Sequence, residues 1–325
     1  MEVFVMIKKV AKRINNSPRT EFVLSDIFDT LRFRGTIFFS SALASPWGME
    51  LPSINKPRFH ILLKGTCHIG LNLEEQPLKL QHMEIALLPH GEKHWIADKP
   101  GRKLIKSEQA ARACELDSPL FQMGEITEKV ICGLIDYEKN SSHPVIESLP
   151  SILHFRSIHE NDPIWKTVIL LNLELDKGKT FKSTIVDRLS EVLFMQLLTN
   201  FVDSSEQSFG FFAALNDQKI LNALELIHKT PDFQWTLQIL AERINMSRAS
   251  MIRMFENNLG VSPMAYLKNW RMSKAVYYLK QTNQSVKEIA TLVGYSTART
   301  LSKAFHRHFS KTPSEYRRSQ SDCEH

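Results

Sequence analysis

The C-terminal third of the chain contains two stretches that share one pattern and decide its fold. Residues 236–267 read TLQILAERINMSRASMIRMFENNLGVSPMAYL, and residues 285–316 read SVKEIATLVGYSTARTLSKAFHRHFSKTPSEY. In each stretch, a helix with apolar residues at helical spacing is followed by a short break and a second amphipathic helix. Matching positions lie 49 residues apart up to Ser247 and Ser296, which we align, and 50 residues apart after an insertion that follows them. The sequence therefore predicts two copies of one helix-turn-helix motif.

Capping residues predict where the helices of the first motif begin and end. Thr236 is a suitable N-cap for the first helix, and Ser247 is suitable for the second. Gly260 follows the last apolar position, where a left-handed residue ends many helices. Ser262 and Pro263 then start a long helix, because Ser is favoured at the N-cap and Pro at the first helical position. We expect this helix to be a single rigid support for both motifs.

The second motif has its own start signals. Ser285 and Glu288 have the spacing of a capping box, in which each side chain binds a backbone N–H near the other residue. The turn is expected at residues 294–296. Ile289 and Phe305 are among the residues expected on the buried faces of its two helices.

Composition bounds the class of protein. The chain has 325 residues, of which 43% are hydrophobic and 23% charged, as in an ordinary globular protein of two domains. It contains neither the run of about 18 apolar residues that a membrane span needs nor a signal-peptide pattern, so we expect a cytoplasmic protein without a membrane partner. The cysteines lack CxxC spacing, which indicates neither a disulfide framework nor a zinc site. They are Cys67, Cys114, Cys132 and Cys323.

Basic charge is concentrated at the C-terminal end. Residues 217–318 carry 16 Lys and Arg against seven Asp and Glu, whereas residues 1–216 carry 25 against 26. A basic domain suits a polyanionic partner, and nucleic acid is the commonest one. A helix that fits the major groove needs a polar, basic exposed face of this kind.

A set of residues at fixed spacings identifies the motifs further. The set is Leu237, Leu240-Ala241, Met246-Ser247, Arg253, Phe255, Gly260-Val261-Ser262-Pro263, Tyr266-Leu267, Arg271, Ala275, Ile289-Ala290, Gly294-Tyr295, Phe305, Thr312-Pro313 and Tyr316-Arg317. Over roughly residues 217–318 this set resembles the AraC/XylS family of bacterial transcription regulators. The resemblance implies that the helix after each turn enters successive major grooves of double-stranded operator DNA. It also implies an activator that recruits RNA polymerase.

The resemblance carries the DNA-reading role to the exposed face of the second helix of each motif. The candidates are Ser247, Arg248, Ala249, Ser250 and Arg253 in the first motif, and Ser296, Thr297, Ala298, Arg299 and Lys303 in the second. Arg253 and Lys303 are equivalent, because each precedes a buried Phe by two residues. An Arg that binds guanine O6 and N7 contributes about 1–3 kcal/mol of discrimination. Lys303 suits a base or a phosphate, and a solvated face without a DNA contact is the alternative for each basic residue.

Two positions depart from the family pattern. The family commonly has an aromatic residue where Leu301 stands and Gly where Ser310 stands. Leu301 still suits a core position. Ser310 occupies a helix C-cap, where a residue with a Cβ is unfavourable in the left-handed conformation. We therefore expect the second motif to be less rigid.

The N-terminal half shows a different pattern. Short apolar stretches between residues 31 and 105 are separated by Gly, Pro and polar clusters at the spacing of antiparallel β structure. Four motifs resemble the cupin-like sensor domain found in one subgroup of AraC-type regulators, over about residues 20–200. These are Leu24-Ser25-Asp26-Ile27-Phe28, Pro46-Trp47-Gly48, Arg58-Phe59-His60 and Leu87-Leu88-Pro89-His90-Gly91 with His94.

The predicted fold class is multidomain α+β. We expect an N-terminal cupin-like antiparallel β-barrel with flanking helices and a C-terminal all-α double helix-turn-helix domain. The predicted boundaries are an extension at 1–20, an effector-binding or dimerisation domain at 21–203, a linker at 204–216, the DNA-binding domain at 217–318 and a tail at 319–325. Within the DNA-binding domain the motifs are placed at 236–257 and 285–308.

Polar and aromatic residues of the cupin-like domain are candidates for an effector pocket. They are Trp47, Arg58, His60, His94 and Trp95. His60, His90 and His94, with Glu84, are weak candidates for metal ligands, since imidazole and carboxylate suit divalent metals. The closely spaced His-x-His pair of metal-binding cupins is missing, so no cofactor is expected. Ordinary core and turn roles are the alternative for each of these residues.

Residues 163–203 predict helices with a wide apolar stripe. The stripe contains Ile185, Leu189, Val192, Leu193, Gln196 and Leu197, and a polar linker follows at residues 203–208. In the family, helices at this place often pair two subunits; packing on the chain's own β domain is the alternative.

These observations favour a sequence-specific, effector-responsive transcription regulator that is not an enzyme. One alternative is a metal-dependent cupin enzyme that carries a DNA-binding module. The other is an interaction protein with a helical bundle that does not bind DNA.

Overall fold

The computed structural model describes residues 18–71, 76–115, 121–137, 143–156, 158–177, 184–204 and 210–321. The chain forms two compact units. One, the β unit, contains the described residues of Phe33–Tyr137 and Pro150–Ser204. The other, the helical unit, contains those of Met1–Arg32, Glu138–Leu149 and Ser205–His325. Two pieces from the N-terminal half therefore pack with the C-terminal helices. The predicted boundaries of the effector-binding and DNA-binding domains stay predictions.

The described part of the β unit contains ten strands in two sheets. The strands are β1 (Arg34–Ala44), β2 (Gly48–Leu51), β3 (Arg58–Lys64), β4 (Thr66–Gly70), β5 (Leu78–Gln81), β6 (Ile85–Leu88), β7 (His94–Ala97), β8 (Ile105–Lys106), β9 (Ile126–Asp136) and β10 (Leu153–Phe155). One sheet has the order β1-β9-β3-β6-β10, and the other has the order β5-β4-β7-β2-β8.

Both sheets contribute to one hydrophobic core. Successive side chains of a strand point to opposite faces, and the inward-facing ones from both sheets are buried together. They include Phe39, Leu62 and Val130 from the first sheet and Met49, Ile69 and Ile96 from the second. The predicted cupin-like β domain is thus confirmed, as two sheets around one core.

The sheets differ from the expected antiparallel barrel in two details. Hydrogen bonds among the described strands leave two separate sheets. In addition, β2 pairs with β8 in parallel, with Met49 opposite Ile105. Residues 98–104 carry the chain from β7, on one side of β2, across to β8 on the other side.

Helices α2 (Ser107–Glu115), α4 (Pro163–Asp176) and α5 (Thr184–Ser204) belong to the β unit. Helix α5 lies against β1 at Gly35, where an added Cβ would meet the Cβ of Ser190 at 2.1 Å. Only glycine permits this close approach of helix and strand. Within the predicted stripe, Leu193 and Leu197 are fully buried, whereas Ile185 is 51% exposed.

The remaining helices form the helical unit. They are α1 (Pro18–Leu31), α3 (Pro144–Glu147), α6 (Gly210–Ala214), α7 (Gln218–Lys229), α8 (Leu237–Arg243), α9 (Arg248–Leu259), α10 (Pro263–Gln281), α11 (Val286–Leu292), α12 (Ala298–Phe309) and α13 (Pro313–Ser321). Helices α8 and α9 form the first motif, α11 and α12 form the second, and α10 is the predicted long helix between them. None of the helices in the described part of the chain has the length and hydropathy of a membrane span.

The predicted helix starts are confirmed. The side chain of Thr236 accepts a hydrogen bond from a backbone N–H in the first turn of α8, and Ser262 does the same for α10, with Pro263 at the first helical positions. Ser285 and Glu288 form the complete capping box of α11. Each cap satisfies donors that the first turn of a helix otherwise leaves unpaired.

The predicted alignment of the two turns is wrong by one residue. Asn245 (φ +54°) and Gly294 (φ +77°) are equivalent left-handed residues. The N-cap of α9 is Ser247, but the N-cap of α12 is Thr297, not Ser296. The extra residue of the second motif therefore lies before the cap, in the turn. The sequence could not show this, because Ser296 and Thr297 are adjacent and both are good N-caps.

The two C-caps adopt the left-handed conformation that the sequence predicts. Gly260 has φ +70° after α9, and Ser310 has φ +56° after α12. The Cβ of Ser310 is disfavoured in this region of backbone space, whereas Gly260 has no such cost.

Several sequence predictions fall outside the described residues. The predicted linker at 204–216 begins with Ser204, which still belongs to α5, and its residues 205–209 lie outside. Its residues 210–214 form helix α6 and are not an extended linker. Most of the predicted N-terminal extension and Cys323 also lie outside the described residues. Cys67 and Cys132 are buried as free thiols.

Candidate nucleic-acid interface

Helix α9 has one buried and one exposed face. Met251, Phe255 and Leu259 form the buried face. Arg248, Ala249 and Arg253 are exposed, and Ser250 is half-buried. The two arginines thus lie on the side of the helix that faces away from its own core.

Helix α12 repeats this arrangement with more positive charge. Leu301, Phe305 and Phe309 are buried. Arg299 and Lys303 are exposed, Ala298 is half-buried, and Arg307 and His306 add further exposed basic groups toward the C-terminus. Leu301 occupies a core position, as expected.

The exposed residues Ser247 and Thr297 have structural roles as caps. The Ser247 hydroxyl accepts a hydrogen bond from the Ser250 backbone N–H at 3.1 Å, and the Thr297 hydroxyl accepts one from Thr300 at 3.1 Å. Ser296 is exposed in the turn before the cap. The caps fix where each recognition helix begins, and therefore which side chains stand at its N-terminal end.

Two arginines hold the motifs on α10 and the helices around it. Arg271 donates to the carbonyl oxygens of Pro231 and Phe233, both at 2.7 Å, and its guanidinium lies over the Tyr295 ring in the second motif. Arg317 donates to the carbonyl of Gln284 at 2.7 Å, just before α11. These bonds satisfy loop carbonyls next to both motifs, so they fix the motifs relative to α10.

The cations of the recognition faces are available for an anion. Within the described part of the chain, neither an ion pair nor a side-chain hydrogen bond engages Arg248, Arg253, Arg299 or Lys303. Guanidinium and ammonium groups on a helix face are the groups that bind phosphates and guanine edges of DNA. The helical unit therefore has the chemistry of a nucleic-acid interface on both motifs.

The predicted effector-pocket residues of the β unit are partly brought together. His60 and His94 are buried, with their Nε2 atoms 2.8 Å apart. Arg58 is on the same face of β3 as His60, since the two are separated by one residue. Its Nη1 donates to the carbonyl of Pro52, and its Nε has no partner among the described residues. Burial lowers the pKa of the Arg58 guanidinium.

The hydrogen bonds of the two histidines define their protons. His94 Nδ1 donates to the Glu92 carbonyl at 2.7 Å, so in the neutral ring its Nε2 accepts. His60 Nε2 must then donate to it, which leaves His60 Nδ1 to accept from the Cys132 thiol, whose Sγ is 3.0 Å away. Burial holds the pKa of His60 well below its usual value and lowers the pKa of His94 to about 4.

This arrangement does not suit a metal ion. The lone pair of each histidine that would bind a metal is already engaged, in His94 by His60 and in His60 by Cys132. His90 is half-buried in the turn after β6, and Glu84 instead accepts a hydrogen bond from His154 at 2.9 Å. In the described residues, no three His, Cys, Asp or Glu side chains converge on a possible metal position.

The two tryptophans of the predicted pocket lie in different places. Trp47 belongs to the core, and its Nε1 donates to Glu128 at 3.0 Å. Trp95 follows His94 on β7, so its side chain points to the opposite face of the strand. There it covers Gly70, where an added Cβ would meet the indole at 2.4 Å. Trp95 is therefore not brought together with His60 and His94.

The sequence did not predict a buried polar cluster in the helical unit. Asp26 of α1, His228 of α7, Tyr266 and Lys274 of α10 and His143 before α3 are joined by hydrogen bonds. Tyr266 was noted as part of the repeated pattern, but nothing in the sequence links it to residues more than a hundred positions away.

Comparison with known families gives two matches. The family described as Cupin matches residues 23–203. The family described as Helix-turn-helix domain matches residues 240–319. Together they cover nearly all of the β unit and of both motifs.

Similar proteins span nearly the whole chain. The HTH-type transcriptional regulator AlkR of Acinetobacter baylyi is 27% identical over 305 residues, which cover 90% of this chain and 98% of that protein. An uncharacterized HTH-type transcriptional regulator of Haemophilus influenzae is 32% identical over 299 residues, which cover 89% and 95%. Among solved structures, the C-terminal domain of AraT, a response regulator from Geobacillus stearothermophilus, is 34% identical with a TM-score of 0.31, over 32% of this chain and 86% of that one.

Proposed function

Because the chain belongs to the AraC family of DNA-binding transcriptional regulators and has a cupin domain before its helix-turn-helix motifs, we propose that it binds one specific operator with both motifs under the control of a small-molecule effector. In this proposal α9 and α12 enter successive major grooves, about 10–10.5 bp apart. A single chain then recognises an asymmetric site.

The observation that carries the operator proposal is the pair of equivalent cations, Arg253 and Lys303. Both are exposed two residues before a buried Phe, and neither has an ion-pair partner in the described residues. We assign base reading to Arg253 and leave Lys303 to a base or a phosphate. Arg248, Ala249 and Ser250 in the first motif, with Ser296, Thr297, Ala298 and Arg299 in the second, complete the proposed DNA-binding surface.

We assign effector binding to the β unit. Trp47, Arg58, His60 and His94 are the proposed surroundings, and the unpartnered Nε of the buried Arg58 supports this choice. A buried guanidinium donor without an acceptor favours a ligand with a hydrogen-bond acceptor. The proposal includes neither a metal ion nor a catalytic step.

Exposed apolar side chains on α4 and α5 of the β unit support a proposed homodimer. Ile169, Leu170 and Leu173 on α4 are 42%, 52% and 50% exposed, and Ile185 on α5 is 51% exposed. Large apolar side chains clustered on a helix face are typical of a protein contact. A cytoplasmic location and the recruitment of RNA polymerase complete the proposal and follow from the family alone.

Selection from a random pool of duplexes tests the operator proposal. The full-length protein, at physiological salt with competitor DNA, is expected to enrich two sequence blocks about one helical turn apart. A variant with both Arg253→Ala and Lys303→Ala is expected to lose the enrichment. The matched control, Lys311→Ala with Arg318→Ala, removes two exposed cations outside the recognition helices and is expected to keep it.

Two outcomes would contradict the operator proposal. Enrichment of no motif by the wild-type protein, with and without cell extract as a source of effector, would remove sequence-specific binding. Equal loss in both double variants would mean that net charge, not the recognition faces, determines binding.

Sedimentation velocity tests the dimer separately. Leu170→Glu with Leu173→Glu is expected to convert a dimer to a monomer, because burying two carboxylates in an apolar contact is unfavourable. Lys106→Glu, an exposed change on β8, is the control. A wild-type protein that sediments as a monomer at micromolar concentration would contradict this part of the proposal.

A further inference from the structure

Helix α1 is held in the helical unit by polar contacts to two helices. In its middle, Asp26 accepts hydrogen bonds from His228 Nδ1 on α7, at 2.9 Å, and from the Lys274 ammonium on α10. Other contacts lie toward the two ends: Arg19 pairs with Glu225 at 3.1 Å, and Arg32 donates to Gln281. Asp26 therefore connects α1 to both α7 and α10.

From Asp26 a chain of hydrogen bonds continues through buried groups. His228 Nε2 lies 2.8 Å from the Tyr266 hydroxyl, and His143 Nε2 lies 3.1 Å from the same hydroxyl. The far nitrogen of His143, Nδ1, lies 3.2 Å from the Val145 backbone N. His143, His228 and Tyr266 are 4%, 3% and 2% exposed. The chain thus joins α1 and residues 143–149 through α7 and α10.

The ends of the chain determine its protons. The Val145 N–H is always a donor, so His143 Nδ1 accepts and His143 Nε2 donates to Tyr266. The Asp26 carboxylate is always an acceptor when ionised, so His228 Nδ1 donates and His228 Nε2 accepts from Tyr266. Every donor then has an acceptor, provided that both histidines are neutral.

An added proton breaks this order at either histidine. On His143 it would place an N–H against the Val145 N–H. On His228 it would give the Tyr266 hydroxyl two donors and leave its own proton without an acceptor in a buried place. The chain is therefore compatible with one protonation state.

The surroundings offer little compensation for a second positive charge. The charged groups that act on His228 are Asp26 of α1 and Lys274 of α10, and the group that acts on His143 is His228 itself. Asp29 of α1 and Tyr278 of α10 lie near Asp26. Lys274 already neutralises Asp26, and Lys229 pairs with Glu225 at 2.7 Å. Phe211 of α6 and Phe255 of α9, which contact His143 and Tyr266, carry no charge.

We propose that His143, Tyr266, His228 and Asp26 form a pH-sensitive latch, which holds α1 and residues 143–149 in the helical unit at neutral pH and releases them in acid. The latch lies where the chain leaves for the β unit, because α1 ends at Leu31 and β1 begins at Arg34. Its release frees Lys274 on α10, the helix between the motifs. Acidification then acts on the helical unit independently of an effector.

The direction of the pKa shifts supports the geometry. Burial holds the pKa of His143 well below its usual value, and burial lowers the pKa of His228 despite the nearby Asp26. A histidine with a lowered pKa stabilises the closed latch above its usual pKa of about 6.5 and loses this effect as pH falls below it. Between pH 7.5 and 5.5 the equilibrium toward opening shifts about tenfold from His143 alone, and about a hundredfold is the upper bound for both histidines.

Hydrogen exchange of the full-length protein tests the latch. After correction for intrinsic rates, the protection of residues 18–31 is expected to fall at least tenfold from pH 7.5 to 5.5. His143→Gln with His228→Gln is expected to abolish this fall, since an amide donates and accepts but does not titrate. The exposed His306→Gln is the matched control and is expected to behave as wild type.

A second variant keeps the test decisive if the double variant does not fold. Tyr266→Phe removes the hydroxyl and leaves the His143 Nε2 donor and the His228 Nε2 acceptor without a partner. This weakens the closed latch at every pH, so opening is expected at a higher pH. Equal protection of residues 18–31 at both pH values in the wild-type protein would overturn the proposal. An unchanged midpoint in Tyr266→Phe, or a fall retained in the double glutamine variant, would do so as well.

Discussion

The first motif ends its second helix at Gly260 and the second motif ends its own at Ser310, although both residues adopt the left-handed conformation with φ +70° and +56°. The second motif also has a turn one residue longer. Its first helix begins with a capping-box carboxylate that the first motif lacks: Glu288 stands where the first motif has Ile239. One fold thus tolerates different local solutions, because a helix needs its end groups satisfied but not by one particular residue.

The core of each motif is the strongest basis for comparing them, and we expect the largest effects there. Phe255 and Phe305 are both fully buried. Either Phe→Ala change is expected to lower the free energy of unfolding by about 3–5 kcal/mol. Phe305→Ala is expected to lower the free energy of unfolding more. The ring centroid of Phe305 is 4.4 Å from that of Phe309 and 5.5 Å from that of Tyr316, whereas the centroids of Phe255 and Tyr266 are 6.4 Å apart. Urea unfolding of the two variants measures the difference, and the reverse order would contradict it.

The two recognition helices are expected to differ in what they read. Arg253→Ala should reduce the preference for operator over random DNA by about 5- to 150-fold, which corresponds to about 1–3 kcal/mol. If Lys303 binds a phosphate, Lys303→Ala should weaken both kinds of DNA alike and reduce the slope of log K against log salt by about 1. Titrations at two salt concentrations distinguish these results. Equal loss on both DNAs for Arg253→Ala would show that Arg253 does not read a base.

Exchanging the C-cap residues tests the strain at Ser310. Ser310→Gly is expected to stabilise the protein by about 1 kcal/mol, because glycine adopts the left-handed conformation without a Cβ penalty. Gly260→Ser should destabilise it by a similar amount, and an added Cβ at Gly260 meets nothing within 4 Å, so sterics do not confuse the comparison. Thermal unfolding of both variants provides the measurement. Destabilisation by Ser310→Gly would exclude strain as the relevant difference.

The smallest expected effect is a difference in acid sensitivity. The backbone hydrogen bond from Ser285 lowers the pKa of Glu288, and that from Thr312 lowers the pKa of Glu315. A carboxylate with a lowered pKa stabilises the fold above its usual pKa and loses this effect as pH falls through the folded value, below 4.5 here. As pH falls, the hydrogen-exchange protection of α11 and α13 should therefore decrease at a higher pH than that of α8. The double variant with Glu288→Gln and Glu315→Gln should remove this difference between α11 or α13 and α8. Hydrogen exchange at pH 5 and 3.5 can measure it.

Much of the helical unit could be predicted from short-range patterns. The caps at Thr236, Ser262 and Ser285 and the left-handed residue at Gly260 were all correct, because a cap depends on residues within one helical turn. The position of the insertion was not correct, since Ser296 and Thr297 are equally good caps. Only the backbone decides between them.

The candidate sites show the same division. The exposed cations of α9 and α12 follow from the helical period, and the sequence placed them on the correct face. The predicted pocket wrongly included Trp95, also for a local reason: Trp95 is adjacent to His94, and adjacent residues of a strand point to opposite faces. That alternation was readable once β7 was recognised as a strand.

The sequence by itself determined the two motifs, their buried faces, the family and the helix starts other than that of α12, since these depend on neighbours within a few residues. The tertiary structure decided which distant groups share protons. His60 meets His94 and Cys132, and His228 meets Asp26 and Tyr266, only because strands and helices far apart in the chain pack together. A buried donor takes whichever acceptor packing brings within about 3 Å, and no local pattern encodes that choice.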